Sequence, residues 1–163
     1  MIYSFDKFSD YDLIVSDVDC TIVNGNLLEN YLFDNYSIDI GQIWWRLRPL
    51  LVLILTIINK KKIGTHINDY LSKISDSSIK IDYKCKGLAK VIFVTNCWPL
   101  FYATNGDLLG RPIIATGIIK YLFSCFNKKQ QFHRITLKSE GVAILFVGDR
   151  EHDKCEGYDF FKV

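Results

Sequence analysis

The chain has only 3 prolines and 10 glycines in 163 residues, and that shortage excludes a collagen-like repeat or a low-complexity linker, both of which need far more of each. It also lacks a CxxC pair. Cys20, Cys85, Cys97, Cys125 and Cys155 are odd in number and scattered, so their spacing offers neither a zinc clamp nor a dithiol couple, and free thiols in a reducing compartment fit. Charge of one sign is missing too: 20 basic against 18 acidic residues leave a net charge of +2, too balanced for nucleic-acid binding through bulk electrostatics, and no nucleic-acid partner is expected. The longest apolar run, residues 49–58, is far short of the roughly 20 residues that a membrane span requires. Residues 1–11 hold Asp6, Lys7 and Asp10 and no apolar stretch, so no secretion signal is read there and a cytoplasmic location is expected.

What the chain does have is apolar content, 49% of its residues, and at this length the expectation is one domain, or one domain carrying an insertion. Three runs carry most of the pattern: Leu13-Ile14-Val15-Ser16-Asp17, Val91-Ile92-Phe93-Val94-Thr95-Asn96 and Ala143-Ile144-Leu145-Phe146-Val147-Gly148-Asp149. Each is apolar on both faces and ends in small or polar residues, as a central parallel strand between two helix layers must be. Weaker strands are expected at 112–115 and 158–163, with crossover helices at 100–109 and 128–139. The alternation predicts an α/β fold with a Rossmann-like, doubly wound parallel sheet. Residues 26–82 break it: no strand run is evident, and helical stretches are expected at 27–36, 42–58 and 65–74, with a basic break at 59–64 and a polar stop at 75–78. The chain therefore divides into a core, 1–25 and 83–163, and an α-helical insertion, 26–82.

In an open α/β sheet, ligands bind beyond the carboxyl ends of the strands. The strong strands end there in Asp17-Val18-Asp19, Thr95-Asn96 and Gly148-Asp149. A strand-like period of two points Asp17 and Asp19 the same way. Converging carboxylates from Asp17 and Asp149 call for a hard divalent cation, and Mg²⁺ suits a few carboxylates plus water and substrate phosphate. Thr95 supplies a hydroxyl for phosphoryl oxygens, and the Lys128-Lys129 pair supplies a cation. Taken singly, a DxD or a Gly-Asp-x-x-x-Asp is more often a turn or a cap than a catalytic site. Here their order and their positions after strands make the case. His66, His133 and His152 read as surface residues, and Tyr31, Phe33, Tyr36, Trp44 and Trp45 as packing among the inserted helices.

Asp17-Val18-Asp19-Cys20-Thr21 after the first strand, Thr95-Asn96 ending the next, a lysine, and Gly148-Asp149-Arg150-Glu151-His152-Asp153 after a third resemble the ordered motifs of the haloacid dehalogenase-like (HAD) phosphohydrolase superfamily. Residues 109–116 and Asn127-Lys128 are similar to its phosphoserine-phosphatase-like branch, in which a helical cap lies between the first two motifs, where 26–82 lies here. The resemblance implies a Mg²⁺-dependent phosphatase acting on a small phosphorylated molecule. Asp17 would be the nucleophile that forms an aspartyl-phosphate and Asp19 the general acid and base. Thr95, Asn96 and Lys128 would hold the transferring oxygens, with Asn127-Lys128 favouring Lys128 over Lys129. Asp17, the backbone carbonyl of Asp19 and Asp149 would ligate the metal, with Asp153 supporting it or the lysine. Cys20 stands where the family often has glycine. A phosphotransferase using the same intermediate, or a non-enzymatic module of a lipid or glycan pathway, remain the alternatives.

Residues 43–62 pose a separate question. Trp44-Trp45, Arg46 and Arg48 precede the apolar run, and Lys60-Lys61-Lys62 follow it. Such a helix needs cover from the core, from a second copy in a homodimer, or from an anionic membrane surface in peripheral contact. Burial is the first expectation, because a large exposed apolar patch is rare on a soluble monomer.

Overall fold

Runs that are apolar on both faces are satisfied only in the middle of a layered sheet, and they lie there in a computed structural model of the chain, which describes residues 3–4, 8–39, 42–43, 47, 50–51, 54, 69–70, 73, 81–82, 90–95, 107–108, 111–115 and 128–163. In chain order the elements are β1 (Tyr3–Ser4), β2 (Leu13–Ser16), α1 (Leu27–Tyr36), β3 (Ile81–Asp82), β4 (Lys90–Thr95), β5 (Asp107–Leu108), β6 (Arg111–Ala115), α2 (Lys128–Lys138), β7 (Ile144–Gly148) and β8 (Asp159–Lys162). The main sheet runs β5-β6-β4-β2-β7-β8. Its strands β6, β4, β2, β7 and β8 are all parallel, and β5 alone is antiparallel, to β6. The fold is thus α/β with a five-strand parallel sheet, compatible with the Rossmann-like expectation.

β2 is the central strand. Leu13 pairs with Lys90 of β4 on one side and with Ile144 of β7 on the other, and every residue of β2 and β7 is buried. From β2 the chain builds outward through β4 and β6, then returns to lay β7 and β8 against the opposite edge of β2. The order reverses between β2 and β7, and the crevice at such a reversal is where a parallel sheet presents ligand-binding residues. α2 packs through Lys128, Phe132 and Ile135, which recur at helical spacing on its buried face. Phe132 meets Phe146 edge-on at 4.8 Å, within a core cluster that also holds Leu13, Val15, Val94, Ile135 and Ile144. Burying a side chain such as Phe132 contributes about 1.5 to 3 kcal/mol. The same packing brings Lys128, one helical turn before Phe132, to the carboxyl end of the sheet.

The strong strands and α1 fall where the apolar runs predict them, and α2 ends one residue short of the expected 139. The helix expected at 100–109 is contradicted at its end: Asp107 and Leu108 form β5, paired with Pro112 and Arg111. Only Leu109-Gly110 separates the two strands, a two-residue glycine-containing spacing that favours a hairpin over a crossover. β1 and β3, joined in a separate parallel pair, escaped notice because two-residue strands carry no periodic signal. β3 places a strand at the end of the insertion 26–82, in which no strand run is evident from the sequence. Within 42–58, Gln42 lies in a 3-10 turn and Leu47 in a turn, while Leu50, Leu51 and Ile54 are helical. Asp69, Tyr70 and Lys73 are also helical. The Tyr70 hydroxyl donates to Asp34 at 2.5 Å and its ring meets Tyr31 at 5.5 Å, tying this helical stretch to α1. Tyr31 is buried as expected of packing, but Phe33 is exposed, and so are Leu50 and Ile54 of the run expected to be covered. Among the described residues no helix is long and apolar enough to cross a membrane.

Candidate active site

Asp17 follows the last residue of β2, and its N–H donates to the Val147 carbonyl of β7 at 2.9 Å, which fixes it at the crevice. Both of its carboxylate oxygens are engaged. Lys128 Nζ lies 2.6 Å from Oδ1, and the Thr21 hydroxyl donates to Oδ2 at 3.2 Å. The same ammonium reaches Asp153 Oδ1 at 2.5 Å. Lys128 is 7% exposed, Asp17 8% and Asp153 1%, so this bridge is a buried one, whereas Lys129 is exposed. Geometry thus selects Lys128 as the inward lysine.

Asp153 owes its position to a short 3-10 turn, Glu151–Asp153. Its N–H donates to the Arg150 carbonyl at 3.0 Å, and the Arg150 N–H donates back to Asp153 Oδ2 at 3.2 Å. Gly148 makes room for it: a Cβ at Gly148 would lie 2.5 Å from Asp153 Oδ2 and 2.7 Å from its Cγ. Asp149 stands on the same loop, half-buried, with Arg150 Nε 3.3 Å from its Oδ2. One carboxylate oxygen from each of Asp17, Asp149 and Asp153 lies within 4.8 Å of the other two, a group that could bind a metal ion. Three carboxylates against one buried ammonium leave two negative charges, and the guanidinium of Arg150 is 65% exposed and screened by water. An all-oxygen donor set of that charge fits a hard divalent cation.

Asp19 does something else with its side chain. Oδ1 accepts the Leu27 N–H at 2.9 Å, at the first turn of α1, and Oδ2 receives a long contact from the Thr95 hydroxyl at 3.5 Å. Its carboxylate is therefore not among the three that converge, and the expected contribution of Asp19 to the metal is its backbone carbonyl. The loop between is tightly wound: the Cys20 N–H donates to the Gly25 carbonyl at 2.8 Å, and Asn26 caps α1 by accepting from the Glu29 N–H at 3.1 Å. Cys20 sits at φ 60°, the left-handed region that favours glycine and costs another residue about 1 to 2 kcal/mol. Asn96 lies outside the described residues, as do His66, Trp44 and Trp45. His133 and His152 are exposed, and His152 Nε2 stands 3.6 Å from Asp153 Oδ1.

The electrostatics follow from burial and pairing. Burial works to strip the proton from Lys128, but Asp17 and Asp153 outweigh it and hold its pKa above the ordinary lysine value. Burial raises the Asp17 carboxyl above the usual range against the pull of Lys128. Burial likewise pushes Asp19 up to about 7, against the Leu27 N–H, so that it is balanced between its protonated and ionised forms near neutrality. Together these groups offer an oriented carboxylate, a fixed cation and a carboxyl able to exchange a proton. An open groove of about 1070 Å³ lies elsewhere, along α2, lined by Phe132, His133, Leu137 and Tyr158 among others, and neither Lys128 nor any of the four aspartates lines it.

Thr21 and Gly148 were not singled out by sequence reasoning. Thr21 stands within the quoted first motif, four residues after Asp17, and the glycine before Asp149 was the available signal for a close approach. No protein-family model, curated protein or solved structure matches this chain.

Proposed function

We propose that the chain is a Mg²⁺-dependent phosphatase that hydrolyses a small phosphomonoester through an aspartyl-phosphate on Asp17, in the manner of the HAD superfamily, with 26–82 acting as a helical cap over the core. The observation that carries the reading is the buried Lys128 bridging Asp17 and Asp153 beside the third carboxylate of Asp149, at the reversal of strand order. Phosphoryl transfer needs a cation fixed beside its nucleophile.

Asp17, Asp149 and Asp153 are the side chains that would hold Mg²⁺. When bound, the ion supplies charge neutralisation to the transferring phosphoryl group. Asp17 presents a carboxylate oxygen to the phosphorus, held in aim by Lys128 and the Thr21 hydroxyl. The ester P–O bond breaks as the Asp17 O–P bond forms, and Asp19 gives its proton to the leaving alkoxide. Water then attacks the phosphorus and loses a proton to the Asp19 carboxylate. The Asp17 O–P bond breaks, releasing inorganic phosphate and restoring both carboxyl groups. Lys128 would hold the charge of the phosphoryl oxygens through both steps, and Thr95, whose hydroxyl lies 3.5 Å from Asp19 Oδ2, would donate to them. A panel of sugar phosphates, nucleotides, phosphoserine and polyprenyl phosphates with Mg²⁺ tests the reading: phosphate release by the native chain that vanishes in Asp17→Asn supports it, and full activity of Asp17→Asn rejects it.

A further inference from the structure

We propose that the helical face carrying Leu47, Leu50 and Ile54 docks on an anionic lipid surface. The three residues recur at i, i+3 and i+7, which aligns them on one side of a helix. The Leu51 N–H donates to the Leu47 carbonyl at 3.0 Å, so the helical spacing already holds at Leu47. They are 49%, 54% and 44% exposed, while Leu51, beside them, is half-buried. Among the described residues of the stretch, three large aliphatic side chains face solvent. A row of that kind marks a contact surface.

Charge decides what the surface fits. Residues 40–68 hold five of the chain's 20 basic residues, Arg46, Arg48, Lys60, Lys61 and Lys62, and none of its 18 acidic ones, leaving 15 basic against 18 acidic elsewhere. Two copies of this stretch would bring together two segments of five positive charges each, which opposes self-association. An anionic bilayer instead attracts the cations and accepts the aliphatic row at the acyl boundary, and the adjacent Trp44-Trp45 belong to the residue type that favours that boundary. Among the described residues the exposed side chains between the cations, Leu47, Leu50 and Ile54, are aliphatic, as an acyl boundary requires. Each basic residue near anionic lipid strengthens binding about fivefold, so removing three weakens it roughly a hundredfold.

The test is flotation of the full chain with vesicles of phosphatidylcholine alone and of phosphatidylcholine with phosphatidylserine, at low and high salt. The proposal expects flotation only with phosphatidylserine, lost at high salt, weakened about a hundredfold by Lys60→Gln, Lys61→Gln and Lys62→Gln together. Leu50→Ser with Ile54→Ser, both on exposed positions, also weakens it while leaving the melting temperature in place. No flotation with phosphatidylserine overturns the proposal, and equal flotation on both compositions overturns it too. A dimer that Leu50→Ser and Ile54→Ser dissociate, without flotation, assigns the face to a second copy. A gel shift of a single-stranded oligonucleotide, again without flotation, assigns the charge to nucleic acid. Either result refutes docking on lipid.

Discussion

Replacing Lys128 by methionine keeps the length of the side chain and removes the ammonium between two buried carboxylates. Asp17 and Asp153 are then left 8% and 1% exposed with no cation at 2.6 and 2.5 Å. Breaking a buried pair by removing one partner costs about 3 to 5 kcal/mol, against about 1 kcal/mol or less for an exposed pair. For a chain of this size that corresponds to a melting temperature lower by roughly 6 to 20 °C. The loss has a pH signature. Burial already raises the Asp17 carboxyl, and without the ammonium nothing comparable opposes burial. A carboxyl whose folded pKa lies above its unfolded value stabilises the fold fully below the unfolded pKa and stops doing so as pH rises through the folded one. Lys128→Met should therefore approach the native chain in stability near pH 4 and fall furthest behind at neutral pH. Adding Asp153→Asn removes one stranded charge, so the double variant should lose less than Lys128→Met alone. Urea unfolding across this pH range is the assay. A neutral-pH loss below about 1 kcal/mol, or one independent of pH, would refute the buried bridge.

Two further substitutions probe the loops that shape the crevice. Gly148→Ala forces a Cβ against the Asp153 carboxyl, and calorimetry should show a loss of about 1 to 3 kcal/mol together with weaker Mg²⁺ binding, whereas an unchanged melting temperature and unchanged titration would contradict the close approach. Cys20→Gly relieves the left-handed conformation at φ 60°, a gain of up to about 1 kcal/mol once the greater freedom of unfolded glycine is subtracted, and a lower urea midpoint would count against strain at that position. In the native chain Asp17 and Asp153 hold the Lys128 pKa above the ordinary lysine value, so the bridge should stabilise the fold from neutral pH up to about 10 and be lost on the alkaline side only as pH rises past it, which alkaline unfolding of native and Lys128→Met chains can compare.

Much of this crevice is legible in the sequence, because its carriers follow the features that sequence reports best. Asp17 and Asp149 stand directly after, and Thr95 ends, runs whose apolar character on both faces made them strands, and Lys128 opens a helix whose apolar positions sit one and two turns further on. What stayed hidden depends on contacts between distant or very short pieces. Nothing in the spacing of Asp17 and Asp19 foretold that one carboxylate would turn to the lysine and the other to the Leu27 N–H, since a period of two holds only while the strand continues, and β2 stops at Ser16. Asp153 joins Asp17 and Asp149 in the converging group because a 3-10 turn folds it back over Gly148. The β5 hairpin was misread as helix because its Leu109-Gly110 link was outweighed by the apolar residues before it.

The measurement that bears most directly on the central claim is acid-quenched turnover, in the presence of Mg²⁺, of a phosphomonoester that the native chain hydrolyses, followed by peptide mass spectrometry. The account predicts one phosphoryl group on the peptide containing Asp17, absent when Asp17 is asparagine and longer-lived when Asp19 is asparagine. Steady phosphate release with Asp17 unlabelled, undiminished in Asp17→Asn, would contradict it.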